Sequence, residues 1–374
     1  MCPDTLNLSR YTRQTILPQI GKEGQKRLLN SRVLCVGAGG LGCPAGQYLV
    51  AVGVGELHLI DDDLVSESNL QRQILFSADD IGKSKAETAA KKLKSLNPEV
   101  KVKGMHARLR AREAVELFKE YDLIIDGVDN FSSKFLINDA AVLSGRPYVY
   151  GSIFKFEGQV SVFNYRGGPC YRCLYREPPK SYVPNCAEAG VLGSVAGICG
   201  TIQATEAIKV LLGNEKLAVL ESKLLVFDAA NLSARLLTVK RDPECPVCSD
   251  RATIKEPFEY AEKCNAENIN LDEITADQLQ AFPDAANLML LDVRESWEFR
   301  RGHLKGAVNI PARDLLSGKI PVDKFSGKER ILIYCSTGER SRRVAVELTR
   351  RYPGRISHLK GGLESFDSTL VLEG

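Results

Sequence analysis

Up to about residue 250, short apolar runs alternate with amphipathic stretches, the pattern of a mostly parallel sheet covered by helices on both faces. The apolar runs predict strands over Val33–Val36, Glu56–Ile60, Lys101–Met105, Leu123–Asp126 and Tyr148–Tyr150. Helical periodicity between them predicts helices over Ser84–Leu96 and Glu113–Glu120. The alternation over Val160–Phe163 predicts an antiparallel strand, and residues 188–212 have the apolar texture of a buried helix. The fold class is therefore α/β.

A second α/β pattern begins at Leu271, after a charged and weakly periodic stretch at residues 251–270 that we interpret as a linker. The two strands and the helix predicted in it are Leu288–Arg294, Ile331–Tyr334 and Ser341–Arg351. We therefore expect one domain over residues 1–250 and a smaller one over residues 271–374. A length of 374 residues allows each domain its own core.

Composition narrows the classes of function. A net charge of +3 gives no case for a nucleic-acid or membrane-surface partner. Eleven cysteines that include two C-x-x-C pairs are typical of a reducing compartment, so we expect a cytoplasmic protein. The N-terminal residues lack the basic and apolar regions of a signal peptide. Val33–Gly55 is uncharged and long enough to span a bilayer, but its glycines and its strand–loop–helix order favour a buried α/β unit.

The first predicted strand runs into a glycine loop, G-x-G-x-x-G, and then into a helix. Its glycines are Gly37, Gly39, Gly40 and Gly42. Such a loop lets a phosphate approach the backbone, and the helix N-terminus offers free N–H groups to it. Asp61 ends the second strand, where an acid can bind ribose hydroxyls. Taken alone, these features would favour a dinucleotide-dependent oxidoreductase.

The residues that follow the acid favour a triphosphate instead. Asn69, Arg72 and Gln73 come directly after the second strand, and Lys85 opens the next helix. Basic side chains at the phosphate side neutralise the charge that develops as pyrophosphate departs. Asp129 ends a further strand and is a candidate ligand for Mg²⁺. Each basic residue alone could be a solvated surface charge, but together they indicate an ATP site.

These motifs resemble those of the MoeB/ThiF adenylating family, relatives of the ubiquitin-activating enzymes. The segments that carry the resemblance are R-Y-T-R-Q at residues 10–14, G-A-G-G-L-G at 37–42, S-N-L-Q-R-Q at 68–73, G-K-S-K at 82–85 and D-N at 129–130. The resemblance runs from about Arg10 to Cys248. It implies a Rossmann-like domain that uses ATP to adenylate the C-terminal Gly-Gly carboxylate of a ubiquitin-like carrier protein.

The resemblance also implies roles for individual residues. Asp61 would bind ribose, and Arg72 and Lys85 would bind the phosphates. Asp129, which precedes Asn130 in the D-N segment, would bind magnesium. These assignments agree with the order of charges along the predicted strand ends.

Two further residues receive a role from the resemblance alone. The arginine that matches Arg13 is thought to reach the ATP site of a neighbouring subunit, which implies a homodimer. Cys186 stands at the C-x-x-x-G-V position that similar enzymes use for a covalent link to the carrier. The alternative is a loop cysteine without a role, because no base or cation lies near Cys186 in the sequence.

The two C-x-x-C pairs are the candidate metal site. They consist of Cys170 and Cys173, and of Cys245 and Cys248. Four thiolates suit a closed, tetrahedral structural zinc. Because the two pairs are far apart in the sequence, the metal would tie the last segment of the domain back onto it. The alternatives are an unmetallated set of thiols and a redox pair.

Cys335 is the candidate nucleophile of the second domain. An apolar strand leads into a short loop that contains Gly338, and a helix follows. Loop N–H groups and a helix N-terminus stabilise a thiolate, and Arg340 is expected to add a full positive charge. The alternative is a buried, inert cysteine.

The second domain resembles a single rhodanese domain over about Leu271–Gly374. The segments that carry this resemblance are D-V-R-E-S-W-E-F at residues 292–299 and G-H-L-K-G-A-V-N-I-P at 302–311. Cys335 falls where that family carries its persulfide. The loop from Cys335 to Arg340 is C-x₄-R, one residue shorter than the C-x₅-R loop of phosphatases. A tighter loop fits a terminal sulfur better than a phosphate, so sulfur transfer is favoured.

The two halves together predict one function. ATP and Mg²⁺ would activate a carrier's terminal glycine as an acyl-adenylate, and a Cys335 persulfide would convert it to a thiocarboxylate. The sulfur would come from a cysteine desulfurase or from thiosulfate. The carrier would serve molybdopterin biosynthesis, tRNA thiolation or both, and a carrier of a cysteine or thiamine pathway is a further alternative. The alternative is a ubiquitin-like conjugation activator whose rhodanese domain is only a docking module.

Overall fold

A computed structural model describes residues 8–179, 189–259, 271–280, 288–316, 325, 328 and 330–366. The chain divides into two compact units, Met1–Tyr260 and Ala261–Gly374. Each unit has its own sheet and its own buried core.

The first unit contains an eight-stranded sheet among its described residues. Its strands are β1 Arg32–Val36, β2 Glu56–Ile60, β3 Lys101–Met105, β4 Leu123–Asp126, β5 Tyr148–Phe154, β6 Glu157–Phe163, β7 Lys223–Asp228 and β8 Ser233–Thr238. They lie in the order β3-β2-β1-β4-β5-β6-β7-β8, parallel from β3 to β5 and antiparallel beyond it. The five predicted parallel strands are confirmed, and the predicted antiparallel strand is β6.

The helices of this unit cover both faces of the sheet. They are α1 Thr12–Thr15, α2 Gly21–Leu29, α3 Gly42–Val52, α4 Lys85–Leu96, α5 Ala111–Lys119, α6 Phe131–Ser144, α7 Tyr171–Leu174 and α8 Gly193–Leu212. On β1, Val33 and Cys35 pack into the core that contains α3 and α8, whereas Leu34 and Val36 pack into the core that contains α5 and α6. A strand buried on both faces reads as a continuous apolar run, which is why β1 shows no alternation.

One described helix, α8, is long and apolar enough to cross a membrane by length and composition. Of its apolar window, 56 % is buried inside the unit, and the helix packs on α3, β5 and β6. These contacts are those of a core helix. The uncharged stretch Val33–Gly55 forms β1, the glycine loop and α3, as the sequence predicted.

The second unit is a five-stranded parallel sheet in its described part. Its strands are β9 Asp272–Ile274, β10 Leu288–Asp292, β11 Val308–Asn309, β12 Arg330–Tyr334 and β13 Arg355–Leu359, in the order β11-β10-β12-β13-β9. Its helices are α9 Ala276–Gln280, α10 Ser296–Phe299, α11 Ala312–Leu316 and α12 Glu339–Thr349.

Three predicted boundaries in this unit shift by two residues. The strand predicted to reach Arg294 ends at Asp292, because Arg294 turns back and its side chain pairs with the buried Asp292 carboxylate at 2.7 Å. Helix α12 runs from Glu339 to Thr349 rather than from Ser341 to Arg351. Gly338 precedes it with a φ of +90°, a conformation that glycine adopts without strain, and this tight turn brings the helix start closer to Cys335.

Candidate functional site

The glycine loop lies at the carboxyl end of β1, where the order of the parallel strands reverses between β1 and β4. This crevice is the usual ligand position in open α/β sheets. A Cβ at Gly37, whose φ is +95°, would lie 2.7 Å from the carbonyl oxygen of Gly127. A Cβ at Gly42 would lie only 2.0 Å from the carbonyl oxygen of Gly37. The fold itself therefore requires these glycines.

Gly39 and Gly40 have more space around them. A Cβ at Gly39 would meet Gln73 Nε2 at 3.6 Å, which is ordinary contact, and one at Gly40 would meet Ala196 at 3.2 Å. The following helix, α3, has no side-chain hydrogen bond at its N-cap residue Leu41. In the first turn of α3, Cys43 N already donates to Gly39 O at 2.9 Å and Pro44 has no N–H, so an anion would be held by the N–H groups of Gly39, Gly40 and Gly42, which have no hydrogen bond among the described residues.

Asp61 connects the end of β2 to this loop. Its carboxylate accepts hydrogen bonds from Ala38 N at 2.7 Å and from Asp63 N at 2.9 Å. Burial raises the pKa of the Asp61 carboxyl, and the nearby charge of Lys85 opposes that rise. The contact with Ala38 places Asp61 beside the loop, which the sequence could indicate only through the position of the acid at a strand end.

The predicted phosphate ligands lie beside the same loop. The aliphatic part of Arg72 comes within 3.5 Å of a Cβ built on Gly40, and its Nη1 donates to Ser68 O at 3.1 Å. Gln73 is buried, and its Oε1 has no hydrogen-bond partner among the described residues. Asn69 Oδ1 accepts from Ser66 N at 3.4 Å and closes the turn that presents these side chains.

Lys85, at the first position of α4, is buried and pairs with Asp63 at 2.7 Å. Asp63 is itself 67 % exposed, so the ammonium group is oriented toward the end of β2 by a carboxylate in contact with water. The structure therefore brings Lys85 and Asp61 to one strand end, as the sequence predicted from their spacing.

Asp129 follows β4 and is exposed, with its carboxylate open to a cation. Asn130 is the N-cap of α6, where its Oδ1 accepts from Ser133 N at 2.8 Å, so its side chain is used by the helix.

Sequence reasoning missed the ion pair that holds the turn between β4 and α6. Asp126 is fully buried and pairs with the buried Lys134 at 3.0 Å. A lone lysine in the apolar stretch of α6 was the signal that could have revealed it.

Cys335 directly follows β12 and is 1 % exposed. Its Sγ accepts a hydrogen bond from Gly338 N at 3.1 Å and lies 3.6 Å from Ser341 Oγ. Ser341 is also buried, and its hydroxyl donates to Gly338 O at 3.0 Å. The loop thus directs a backbone N–H and the start of α12 at a single sulfur atom, which is the arrangement that stabilises a thiolate.

The sequence predicted that Arg340 adds a full positive charge near this sulfur, but in the structure its guanidinium is paired with a carboxylate. Its Nη1 and Nη2 donate to Glu298 Oε2 and Oε1 at 2.6 and 2.7 Å. Burial raises the pKa of the Glu298 carboxyl, but the hydrogen bonds from Arg340 and from Glu295 N outweigh it and hold that pKa below its usual value. A charged carboxylate therefore neutralises much of the arginine's field. The sequence gives no sign of this partner, 42 residues away.

Comparison with known proteins decides the family. The sequence matches the ThiF family over residues 11–247 and the rhodanese-like domain over residues 275–369. The chain belongs to the ThiF family. It is an adenylyltransferase with a C-terminal rhodanese-like sulfurtransferase domain, so the dinucleotide-dependent oxidoreductase that the glycine loop alone suggested is set aside.

Relatives with both domains cover nearly the whole chain. The probable adenylyltransferase/sulfurtransferase MoeZ of Mycobacterium tuberculosis is 41 % identical over 372 residues, covering 95 % of this chain and 92 % of the relative. The adenylyltransferase and sulfurtransferase MOCS3 of Anopheles gambiae is 36 % identical over 389 residues, covering 97 % and 87 %. The solved structure of MccB from E. coli with MccA-N7isoASN has a TM-score of 0.58 at 23 % identity, covering 66 % of this chain and 76 % of that one, and this likeness shows the fold alone.

The four zinc-candidate cysteines of the ThiF-type domain meet in the structure. The Sγ–Sγ distances are 3.9 Å for Cys170–Cys173, 3.5 Å for Cys170–Cys245 and 3.5 Å for Cys173–Cys248. All four sulfur atoms lie within 4.8 Å of one another. A tetrahedral zinc with bonds of about 2.3 Å requires sulfur atoms roughly 3.8 Å apart. Because sulfurs from different motifs are as close as those within one motif, the arrangement fits a four-thiolate site better than two separate redox pairs.

The described residues do not test the roles predicted for two further residues of this domain. Arg13 is exposed on α1, a short helix anchored by Gln14, whose Nε2 donates to Val52 O at 2.9 Å. Its expected position in a partner subunit stays a prediction, because one chain is described. Cys186 lies outside the described residues, and its role also stays a prediction.

Proposed function

We propose that this enzyme adenylates the C-terminal glycine of a ubiquitin-like sulfur-carrier protein and then converts it to a thiocarboxylate with sulfur carried by Cys335. The observation that carries the proposal is the presence in one chain of a glycine loop with cations beside it and of a cysteine whose sulfur accepts a backbone N–H hydrogen bond at 3.1 Å. A relative supports the choice of substrate. The sulfur carrier protein adenylyltransferase of Thermus thermophilus is 49 % identical over 263 residues, covering 69 % of this chain and 96 % of that protein.

In the adenylation step, the phosphates of ATP lie against the glycine loop beside the open position at Gly39 and accept from its backbone N–H groups. Arg72 and Lys85 neutralise charge as pyrophosphate leaves. Asp129 is the carboxylate that would hold Mg²⁺, which screens the phosphate charge when it is bound. The carrier's carboxylate attacks the α-phosphorus, the bond to pyrophosphate breaks, and an acyl-adenylate forms.

In the sulfur-transfer step, the terminal sulfur of the Cys335 persulfide attacks the acyl carbon and AMP leaves. The product is an acyl disulfide between the carrier and Cys335. A thiolate then attacks Cys335 Sγ, so the carrier leaves as a thiocarboxylate and a disulfide remains on the enzyme. Either Cys186 or an external thiol can supply that thiolate, and a second thiol then restores Cys335.

The remaining assignments complete the proposal. The cysteine cluster holds a structural Zn²⁺ that ties the segment around Cys245 and Cys248 to α7. The enzyme works in the cytoplasm as a homodimer in which Arg13 completes the partner's ATP site. The sulfur donor is a cysteine desulfurase or thiosulfate, and the carrier serves molybdopterin biosynthesis or tRNA thiolation. These assignments rest on the family and on the donor atoms described above.

A second candidate is an activator for ubiquitin-like conjugation in which the rhodanese-like domain only docks a partner. The observation that favours it is the burial of Cys335, which is 1 % exposed and therefore needs loop motion or a fitted donor to react. The presence of the N–H donor at 3.1 Å from its sulfur counts against it.

The deciding experiment measures the intact mass of Gly-Gly-ended carriers after incubation with enzyme, ATP, Mg²⁺ and a sulfane sulfur donor. We expect replacement of one carboxylate oxygen by sulfur, dependent on ATP. Cys335→Ala should retain ATP–pyrophosphate exchange and lose the thiocarboxylate. Loss of both activities in this variant would contradict the division of labour, and adenylate without sulfur across all carriers would favour the conjugation activator.

A further inference from the structure

The Cys335 loop holds its arginine in an ion pair instead of leaving it for a ligand. Arg340 and Glu298 form two parallel hydrogen bonds at 2.6 and 2.7 Å, the strongest geometry available to a guanidinium and a carboxylate. Their side chains are only 15 % and 14 % exposed. An anion that arrives at this loop therefore meets a guanidinium whose charge is already matched.

Glu298 is held in place independently of Arg340. Its Oε2 accepts from Glu295 N at 2.8 Å in the first turn of α10, and Ser336 Oγ donates to its Oε1 at 3.4 Å. The carboxylate thus contacts both ends of the loop, at Ser336 beside Cys335 and at Arg340. Displacement of Arg340 by an anion would leave Glu298 charged, largely buried and next to a like charge, which is strongly unfavourable.

We propose that Glu298 makes this site selective for a thiol-bound persulfide, R–S–SH, over a dianionic donor such as thiosulfate. The inference rests on the proposed function, in which Cys335 receives sulfane sulfur. Specificity arises from electrostatic repulsion by the fixed Glu298 carboxylate. Thiosulfate brings two negative charges to this carboxylate, whereas the –S–SH group of a persulfide brings at most one. The loop still serves the sulfur itself, since Gly338 N–H lies 3.1 Å from Cys335 Sγ.

The transfer is balanced without any further reactant. The Cys335 thiolate attacks the sulfane sulfur of R–S–SH, and a bond forms between Sγ and that sulfur. The S–S bond of the donor breaks, and its electron pair leaves on R–S⁻. The proton stays on the transferred sulfur, so Cys335 becomes Cys–S–SH. One S–S bond replaces another, and no oxidant or reductant is consumed.

The test compares two donors, thiosulfate and glutathione persulfide, by the second-order rate constant for persulfide formation on Cys335, read by intact mass. Glu298→Gln keeps the volume and an acceptor oxygen for Glu295 N while freeing the charge of Arg340. We expect its rate constant with thiosulfate to rise on the order of tenfold, and that with glutathione persulfide to change by less than about twofold. The double variant Glu298→Gln/Arg340→Gln should lose the gain.

Glu295→Gln is the matched control. It removes a carboxylate from the adjacent end of the same helix, where Glu295 pairs with the exposed Arg313 at 3.4 Å, and it should leave the ratio of the two rate constants unchanged. An unchanged or lower thiosulfate rate in Glu298→Gln with a normal persulfide rate overturns the proposal. If Glu298→Gln fails to fold, the two rate constants are compared in the unaltered enzyme. A rate constant for thiosulfate equal to or above that for glutathione persulfide overturns the proposal. A rate constant for thiosulfate lower by about tenfold or more supports the proposal.

The same measurements separate this inference from the proposed function. If neither donor places sulfur on Cys335, the proposed function fails. If glutathione persulfide loads Cys335 but Glu298→Gln leaves the donor ratio unchanged, the proposed function stands and the role of Glu298 is refuted.

Discussion

The two units use the same local design, a parallel strand that runs into a loop and then into the N-terminus of a helix, yet they treat the neighbouring cation differently. At the nucleotide end, Lys85 is bound by one oxygen of Asp63, which is 67 % exposed. At the sulfur end, Arg340 is bound by both oxygens of Glu298, which is 14 % exposed. Asp63 is therefore in contact with water, whereas Glu298 is largely withdrawn from it.

This difference shows that a strand–loop–helix motif supplies N–H donors without deciding what they bind. The open position at Gly39 and a lysine whose partner carboxylate is exposed suit a large polyanion. The short loop around Cys335, whose Arg340 is already paired with Glu298, suits a single sulfur atom. Burial of the partner carboxylate, more than the identity of the cation, separates the two sites.

The largest effect is expected when Lys85, the cation at the nucleotide end, is replaced. Lys85→Gln removes a charge that would neutralise the departing pyrophosphate, so we expect the rate of ATP–pyrophosphate exchange to fall by about 10²–10³-fold. Asp63→Asn is its matched control, since it removes only the exposed partner, and exchange should stay within about threefold. A loss of less than tenfold in Lys85→Gln, or an equal loss in Asp63→Asn, would show that the pair acts as a structural unit.

A second test separates the glycines required by the fold from those required by the ligand. Gly42→Ala places a Cβ 2.0 Å from a backbone oxygen, so we expect a loss of about 3 kcal/mol or more in unfolding free energy, measured by circular dichroism melting. Gly39→Ala should keep stability within about 1 kcal/mol and raise the KM for ATP by about tenfold. A normal KM in Gly39→Ala would remove the phosphate from that position.

The smallest effect concerns the pH dependence of the Arg340–Glu298 pair. Because the folded pKa of Glu298 lies below its usual value of about 4.3, the pair stabilises the fold fully above that pH, and the stabilisation is lost as pH falls through the folded pKa. Glu298→Gln should therefore cost about 1–3 kcal/mol at pH 7, with the difference from the unaltered protein shrinking below about pH 4. The chain has one tryptophan, Trp297, whose fluorescence reports urea unfolding of this unit. A difference that persists undiminished in acid would contradict the ion pair.

The order of charges along the chain predicted that Asp61 and Asp129 lie at one edge of the sheet, because parallel strands bring their carboxyl ends together there. Asp61 and Asp129 come shortly after the ends of β2 and β4, so their positions in the sequence imply their positions in space, whereas Lys85 opens helix α4. The Asp126–Lys134 pair escaped prediction although its members are only eight residues apart. A helical pattern of polarity does not specify that Lys134 on α6 faces Asp126 at the end of β4.

The sequence by itself determined the two α/β patterns, the glycine loop, the paired cysteine motifs and the strand that delivers Cys335 to its loop, because each depends on residues that are near neighbours in the chain. Only the tertiary structure decided that Cys170 and Cys245, separated by 75 residues, place their sulfurs 3.5 Å apart. It also decided that Arg340 binds Glu298, since β10 and β12 are neighbours in the sheet and the helix after one faces the loop after the other. Such partners follow from strand order and packing, which local patterns of polarity do not specify.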